Sequence, residues 1–269
     1  MTILITGATG LVGARLTPRL LDAGFTCRLL LRPGKPCPDG AEAVHGDILD
    51  PSTLADAVRG VTAVVHLAAV FRTRDADLIW KSNLEGTRNL IDAVKAHAPE
   101  ARFVMSSTSH VYSMDNAHPG QENDPVDPKQ DYPASKVAAE NELRESGLTW
   151  SIVRFPFVYG DGDGHLEALP EHVGSWHPAQ RMSTIHHRDI ATAITLALEG
   201  KFDGRVVNIA DEAPLSIFEL VGLTGTKMTS KSEALTNPWY LHVDSSLARS
   251  LGFTPAVRTV YQAQQEGLM

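Results

Sequence analysis

Cysteine is nearly absent. Cys27 and Cys37 are the only two among 269 residues, too few for a disulfide framework and without the paired spacing of a zinc site, so a reducing, cytoplasmic setting is the expectation. No apolar run is long enough to cross a bilayer, and no membrane partner is expected. The opening stretch MTILITGATG passes straight into a strand-like run, with neither the basic segment nor the cleavage site of a secretion signal. Positive charge is scarce too: 24 Lys and Arg stand against 32 Asp and Glu, for a net charge of −8. A chain of that sign lacks the basic footprint of general nucleic-acid binding. Repeats and low-complexity tracts are missing as well. What remains is a globular protein with a small-molecule partner.

What the sequence does have is alternation. TILIT, TCRLLL, AEAVHG, TAVVHL, ARFVMSS and TWSIVRF read as strands buried on both faces, as a parallel sheet requires. Between them, 11–23, 51–59, 75–98, 133–146 and 187–199 read as helices; Leu84, Leu90, Ile91 and Val94 give the long one an apolar stripe. That order predicts an α/β fold, a Rossmann-type doubly wound parallel sheet with right-handed crossovers. Past residue 156 the alternation fades into the loop YGDGDGH, a stretch with Pro and His, one further strand (GRVVNIA) and two short helices. The expected organisation is a dinucleotide-binding domain over 1–156, to which about 184–210 returns, with 157–269 mostly a small substrate-binding cap. Ligand would sit where the cap meets the carboxyl ends of the strands.

Gly7, Gly10 and Gly13 lie between the first strand and the first helix. Glycine there permits a tight turn, close backbone approach to a pyrophosphate and close helix-on-strand packing, and the helix N-terminus favours the anion. The spacing is G-x-x-G-x-x-G rather than G-x-G-x-x-G. Thr9, Leu11 and Val12 complete the candidate loop. The second strand ends in RLLLRPGK, which offers Arg32, with Arg28 and Lys35 close by, and no carboxylate before Asp39. An acid at this place serves the ribose hydroxyl of NAD, whereas arginine accommodates a 2′-phosphate. NADP(H) is therefore favoured and NAD(H) is the alternative. Asp47 and Ile48 suit an adenine pocket, with one acceptor and one apolar wall. Leu67, Ala68 and Ala69 end a strand in small side chains against which a flat cofactor can lie.

Tyr132 and Lys136 stand four positions apart in DYPASKVAAEN, one helical face. A free phenol titrates near 10; a shift of ~3 units, about 4 kcal/mol, would bring it near neutrality, where acid–base catalysis works best. The lysine ammonium and an oxidised nicotinamide ring would both push in that direction. The strand RFVMSSTSHVY breaks into hydroxyls at its carboxyl end, Ser106, Ser107, Thr108 and Ser109, able to hydrogen-bond a substrate oxygen. Taken singly, these pieces have plainer readings: Tyr132 as a residue stapling a helix start at Pro133, hydroxyls satisfying loop backbone. His110, just past Thr108, faces either the substrate or solvent. His165, His172, His177, His186 and His187 cluster in sequence but show no ligand spacing, and no metal site is expected. Arg72 and Arg74 read as an exposed loop.

These motifs together (TGATGLVG, GDILD, VVHLAA, NLEGTRNLIDA, SSTSHVY, YPASK, VRFPFVYGDGD, HHRDIATAI, NIADEAPLS and DSSLARSLGFTP) resemble the extended short-chain dehydrogenase/reductase family, also called the NAD-dependent epimerase/dehydratase family, nearly end to end. The resemblance implies Tyr132 as acid–base group, Lys136 as its electrostatic partner touching the nicotinamide ribose, and Thr108, three positions before Val111, as the catalytic hydroxyl. It implies Ser106 and Asn83 near the cofactor, and Phe155, Pro156 and Val158 beside the nicotinamide. Val70, Thr108, His110, Tyr132, Phe157 and Arg181 are the candidate substrate contacts. A homodimer through the helices at 84–98 and 133–146, packed as a four-helix bundle, is a further implication. Two departures stand out. The stretch that grips a nucleotide diphosphate in sugar-nucleotide enzymes is here about twenty residues, 164–183, with Arg181 its single arginine. Arg32 also replaces the expected acid. Both favour an NAD(P)-dependent oxidoreductase of a carbonyl or alcohol, with a sugar or sugar-nucleotide epimerase or dehydratase as alternative and a non-catalytic dinucleotide sensor as the reading from another class.

Overall fold

The computed structural model describes residues 1–229 and 231–269. In the first strand, β1 (Thr2–Thr6), Ile3 and Ile5 join one apolar cluster and Leu4 the opposite one. A strand buried on both sides reads as an unbroken apolar run and needs helices on both faces. The chain supplies them: α1 (Gly13–Asp22), β2 (Thr26–Leu31), β3 (Glu42–His45), α2 (Leu54–Val58) and β4 (Ala63–His66) follow in turn. Next come α3 (Ala76–Trp80), α4 (Gly86–His97), β5 (Arg102–Thr108), α5 (Asp131–Glu145) and β6 (Trp150–Phe155). The chain then departs through β7 (Phe157–Tyr159), α6 (Leu169–His172), β8 (Arg181–Met182) and β9 (Thr184–His186), and comes back with α7 (His187–Leu198) and β10 (Arg205–Asn208). It ends with β11 (Leu215–Ser216), α8 (Ile217–Leu223), α9 (Ser246–Ser250) and α10 (Val260–Gln265).

Seven strands form a parallel sheet in the order β10-β6-β5-β4-β1-β2-β3. This is the doubly wound Rossmann-type arrangement expected. Strand order reverses beside β1, which has β2 on one side and β4 on the other. That reversal opens a crevice at the carboxyl ends of the strands. Leu16 and Leu20 of α1 with Ile190 and Ile194 of α7 cover one face; Leu90 and Val94 of α4 with Leu143 of α5 cover the other. Each such fully buried side chain contributes about 1.5–3 kcal/mol. A third cluster unites Tyr159, Leu169, Met182, Ile217, Leu220 and Val260, all from beyond β6. Among the described residues no helix is long and apolar enough to cross a membrane.

Two helices depart from their sequence reading. The helix expected over 75–98 is interrupted by a π-helical turn at Lys81–Glu85 between α3 and α4. The helix expected from 133 begins at Asp131, whose Oδ1 accepts a hydrogen bond from Trp80 Nε1 at 2.9 Å. Tyr132 therefore lies in the first turn of α5 and not ahead of it.

Candidate active site

A cavity of about 1010 Å³ opens at the carboxyl ends of β1, β2, β4 and β5. Its floor is the glycine loop. Gly7 adopts φ +72°, and a Cβ there would come within 2.6 Å of the Ala68 nitrogen. Gly10 N–H donates to the Gly7 carbonyl at 3.0 Å, and a Cβ on Gly13 would collide with that same carbonyl. The glycines thus let α1 start against β1 with its first residue, Gly13, on the cavity wall, where a helix N-terminus favours an anion. Thr9, Leu11, Val12, Leu67, Ala68, Ala69, Asp47 and Ile48 all line this part of the wall. Arg32 and Lys35 line its outer end and are exposed. Arg28 is committed elsewhere, its Nε donating to Glu42 Oε2 at 3.0 Å and its Nη1 to the Arg59 carbonyl at 2.7 Å.

The candidate chemistry lies further along the same wall. Ser106, Thr108, His110, Tyr132, Phe155, Pro156, Phe157, Val158 and Val70 all line the cavity. Ser106 Oγ donates to the His66 carbonyl at 3.2 Å. Thr108 Oγ1 accepts from the His110 N–H at 3.2 Å, which caps the following turn and leaves the hydroxyl proton to be donated. Burial lowers the pKa of His110 and keeps its imidazole neutral. The Tyr132 ring sits 5.8 Å from that of Phe71, and burial pushes its phenol up to about 12. This reverses the direction expected from sequence. Desolvation of the phenolate outweighs any neighbouring cation of the chain, so the protein by itself holds Tyr132 protonated.

Lys136 lies behind this wall, 1% exposed. Burial pulls its ammonium down to about 8, against the opposing charge of Glu140 one turn further along α5. Its Nζ has no hydrogen-bond partner among the described residues. A buried ammionium without partners is costly, and the hydroxyls of a nucleotide ribose are the kind of acceptor that satisfies one. Glycine cradle, helix N-terminus, small strand ends and orphaned ammonium together fit a dinucleotide.

Besides Lys136, two predicted contacts fall outside the cavity lining, Asn83 and Arg181. Asn83, in the π-helical turn, is fully buried; its Oδ1 accepts from Val70 N–H at 2.7 Å, and its Nδ2 donates to the Val70 carbonyl at 2.9 Å and to Ser135 Oγ at 3.0 Å. With its amide spent in that way it holds the wall from behind and does not touch the cofactor space. Arg181 is exposed on β8, while Met182, one residue on, faces the cavity, as strand alternation demands.

Sequence reasoning passed over a buried charge network. Arg154 Nε and Nη2 donate to Glu140 Oε1 and Oε2 at 3.0 and 2.6 Å, and Ser107 Oγ and Arg144 Nη2 donate to the same carboxylate. Arg154 Nη1 also donates to Tyr112 Oη at 2.9 Å, which donates to Asn208 Oδ1 at 2.7 Å. Arg154 and Glu140 are each 1% exposed, so only this full set of partners makes the pair tolerable. Lys136 and Glu140 share a helical face at i and i+4, the one signal that pointed here. Phe71, Leu78, His165, His172 and Trp176 also line the cavity.

The model of the NAD dependent epimerase/dehydratase family matches residues 3–210. Over 249 residues the chain is 28% identical to a 3-beta-hydroxysteroid dehydrogenase from Mycolicibacterium neoaurum, covering 81% of this chain and 67% of that protein. A solved short-chain dehydrogenase/reductase superfamily protein from Agrobacterium tumefaciens, with bound NAD, is similar at 25% identity and a TM-score of 0.81, covering 99% and 95% of the two chains. The UDP-glucose 4-epimerase of Thermus thermophilus in complex with NAD shares the fold at 23% identity, with a TM-score of 0.78 over 96% and 94% of the chains. The chain spans 42% of the length of an uncharacterised Sinorhizobium fredii protein to which it is 33% identical over 168 residues.

Proposed function

The chain belongs to the NAD-dependent epimerase/dehydratase family, and from that premise we propose that it is an NADP(H)-linked oxidoreductase interconverting a carbonyl and an alcohol, with Tyr132 as its acid–base group. The observation that carries this reading is the joining of the glycine cradle, Thr108 and Tyr132 along one cavity wall, with the partnerless Lys136 ammonium behind it. When bound, the reduced nicotinamide supplies a hydride to the carbonyl carbon. Tyr132 holds its proton at neutral pH and gives it to the carbonyl oxygen as that atom gains the electron pair of the C=O π bond. Thr108 donates a hydrogen bond to the same oxygen. Lys136 would hold the ribose hydroxyls and, with its charge, would stabilise the phenolate left on Tyr132 until water reprotonates it. In the alcohol-oxidising direction the phenolate takes the proton back. Phe155, Pro156 and Val158, which line the cavity, would support the nicotinamide face.

NADP(H) is preferred because Arg32 and Lys35 line the cavity and are exposed, free to meet a 2′-phosphate there. Residues 157–183 and 211–269 serve as the substrate cap over a domain made of 1–156 and 184–210. Two copies associate through α4 and α5; Ala134 and Ala138 on α5 are half-exposed.

Cofactor titration and turnover test the proposal together. NADPH should bind the purified protein about 10–100-fold more tightly than NADH, the worth of a charge-assisted phosphate contact, and Arg32→Ala should remove most of that margin. Tyr132→Phe should lower NADPH-dependent carbonyl reduction by about 10²–10⁴-fold while leaving NADPH affinity within a small factor. Tighter binding of NADH that ignores Arg32→Ala would overturn the cofactor assignment. A second reading, transient oxidation followed by return of the same hydride, has the epimerase-like fold in its favour; catalysis without net NADPH consumption would establish it. Retention of biological activity in Tyr132→Phe would instead point to a dinucleotide sensor.

A further inference from the structure

We infer that the substrate is an uncharged, largely apolar ketone or alcohol built on a carbon ring or chain, and not a nucleoside diphosphate sugar. This rests on the reading of the cavity as a carbonyl–alcohol redox site and adds the class of molecule it receives. Beyond Tyr132 the large side chains of the cavity wall are mostly apolar, Phe71, Leu78, Phe157, Leu169, Trp176 and Met182, with Gln130, Asp131, His165 and His172 among them. Phe71 is 43% and Leu78 41% exposed, two large apolar side chains that both line the cavity. Scattered singly, such exposure is ordinary; gathered at the mouth of a cavity, it marks apolar recognition.

Charge on this side is sparse. Arg72 is the one arginine or lysine among the cap-side lining residues, and its guanidinium lies 5.5 Å from the centroid of the Phe71 ring. Arg181 points away, as described. His165 stacks on Phe157 with ring centroids 4.3 Å apart, and its Nδ1 lies 2.6 Å from the Val158 carbonyl oxygen, so that nitrogen donates. Burial and the neighbouring Arg72 lower its pKa to about 4, which keeps the ring uncharged near neutrality. A diphosphate brought here would meet a single guanidinium, the Asp131 carboxylate and a wall dominated by hydrocarbon, leaving buried negative charge uncompensated. A ketone loses nothing there. Its oxygen goes to Tyr132 and Thr108, while its carbon frame lies against Phe157, Trp176 and Met182.

The test is titration calorimetry on the whole protein, with and without NADPH, using 2-decalone, 2-undecanone and UDP-glucose as probes. At least one ketone should bind tenfold or more tightly than UDP-glucose. Leu78→Glu, at an exposed position where folding is not at risk, and Trp176→Ala should each weaken that binding at least tenfold. Tighter binding of UDP-glucose, no binding of either ketone up to its solubility limit, or ketone binding indifferent to both variants would each overturn the inference. The two proposals fail separately. Ketone binding without any NADPH consumption refutes the redox reading and leaves the ligand class standing, whereas oxidation of a UDP-glucose hydroxyl with reduction of NADP+ refutes the ligand class alone.

Discussion

The imidazole of His66 hangs between two threonine hydroxyls, Thr6 Oγ1 at 2.7 Å and Thr87 Oγ1 at 2.9 Å, and Thr6 lines the cavity. Burial, with the Lys136 ammonium nearby, lowers its pKa from 6.5 to about 3. On acidification the unfolded chain takes up this proton first, so the contribution of His66 to stability is present above pH 6.5 and is lost as pH falls toward 3. The loss is on the order of 4 kcal/mol. Asp211 acts in the opposite sense. Burial raises its carboxyl from 3.8 to about 7, with only partial relief from Thr184, so its contribution is full below 3.8 and is lost as pH rises through 7, again by on the order of 4 kcal/mol. Between about pH 4 and 6.5 the two slopes oppose each other. Asp211→Asn removes one arm. In urea unfolding at a series of pH values, the variant should be the more stable protein at pH 7.5, by about 2–3 kcal/mol after loss of a stronger acceptor for Thr184. That advantage should vanish by pH 4, and a variant that parallels the wild type across the whole range would refute the assignment. Neither residue was legible as a titrating group, because VVHLAA and NIADEAP show which residue types are present and not which of them are sealed from water.

At the level of elements, the join between α3 and α4 does the least obvious work. The apolar stripe over 84–94 correctly announced a helix, and a plain 3.6-residue period carried it back to 75. The π-helical turn at Lys81–Glu85 leaves no trace in that period, because one inserted residue shifts a polar face without breaking the stripe. Its product is the position of Asn83, aimed at Val70 of the cavity wall. Asn83→Ala strands the Val70 N–H and carbonyl and should cost about 1–3 kcal/mol, seen as a melting temperature lower by roughly 3–9 °C. Because Val70 lines the cavity, ligand affinity should fall with it; an unchanged affinity would make Asn83 a purely structural residue. The glycine loop was readable in full, since its spacing is a backbone requirement written directly in residue type. The Arg154–Glu140 pair was not: Arg154 sits within a strand that otherwise reads as apolar, and its partner is on α5, a pairing that exists only once β6 and α5 are folded together.

Across the whole molecule the cavity has two builders, the ends of the parallel sheet and the third apolar cluster, and they meet at the loop 160–165. That loop is fastened from both sides. Arg15 Nε donates to the Asp161 carbonyl at 3.2 Å and Arg19 pairs with the Asp161 carboxylate at 2.8 Å, while Asp161 and Gly162 N–H groups donate to the carbonyls of Leu268 and Met269. Asp163 accepts from His187 Nε2 at 2.8 Å, which fixes the start of α7. The cap-side elements are short, from the two residues of β8 to the seven of α8, so their cluster left little periodic signal in the sequence, although YGDGDGH itself was recognisable as a loop. Gly160 is the joint. It has φ +101°, and a Cβ on it would overlap the His186 ring, whose Nε2 donates to the Leu268 carbonyl at 2.9 Å. Gly160→Ala imposes a left-handed backbone on an L side chain and displaces that imidazole together, at about 2–3 kcal/mol, or a melting temperature roughly 5–10 °C lower. The consequence for binding should be one-sided. The glycine cradle and Arg32 belong to the sheet and keep their geometry, so NADPH affinity should stay within threefold. Binding of an apolar ketone, which depends on Phe157 and the cap residues carried by this joint, should weaken at least tenfold. Equal losses for both ligands would mean that the two halves of the cavity do not respond separately.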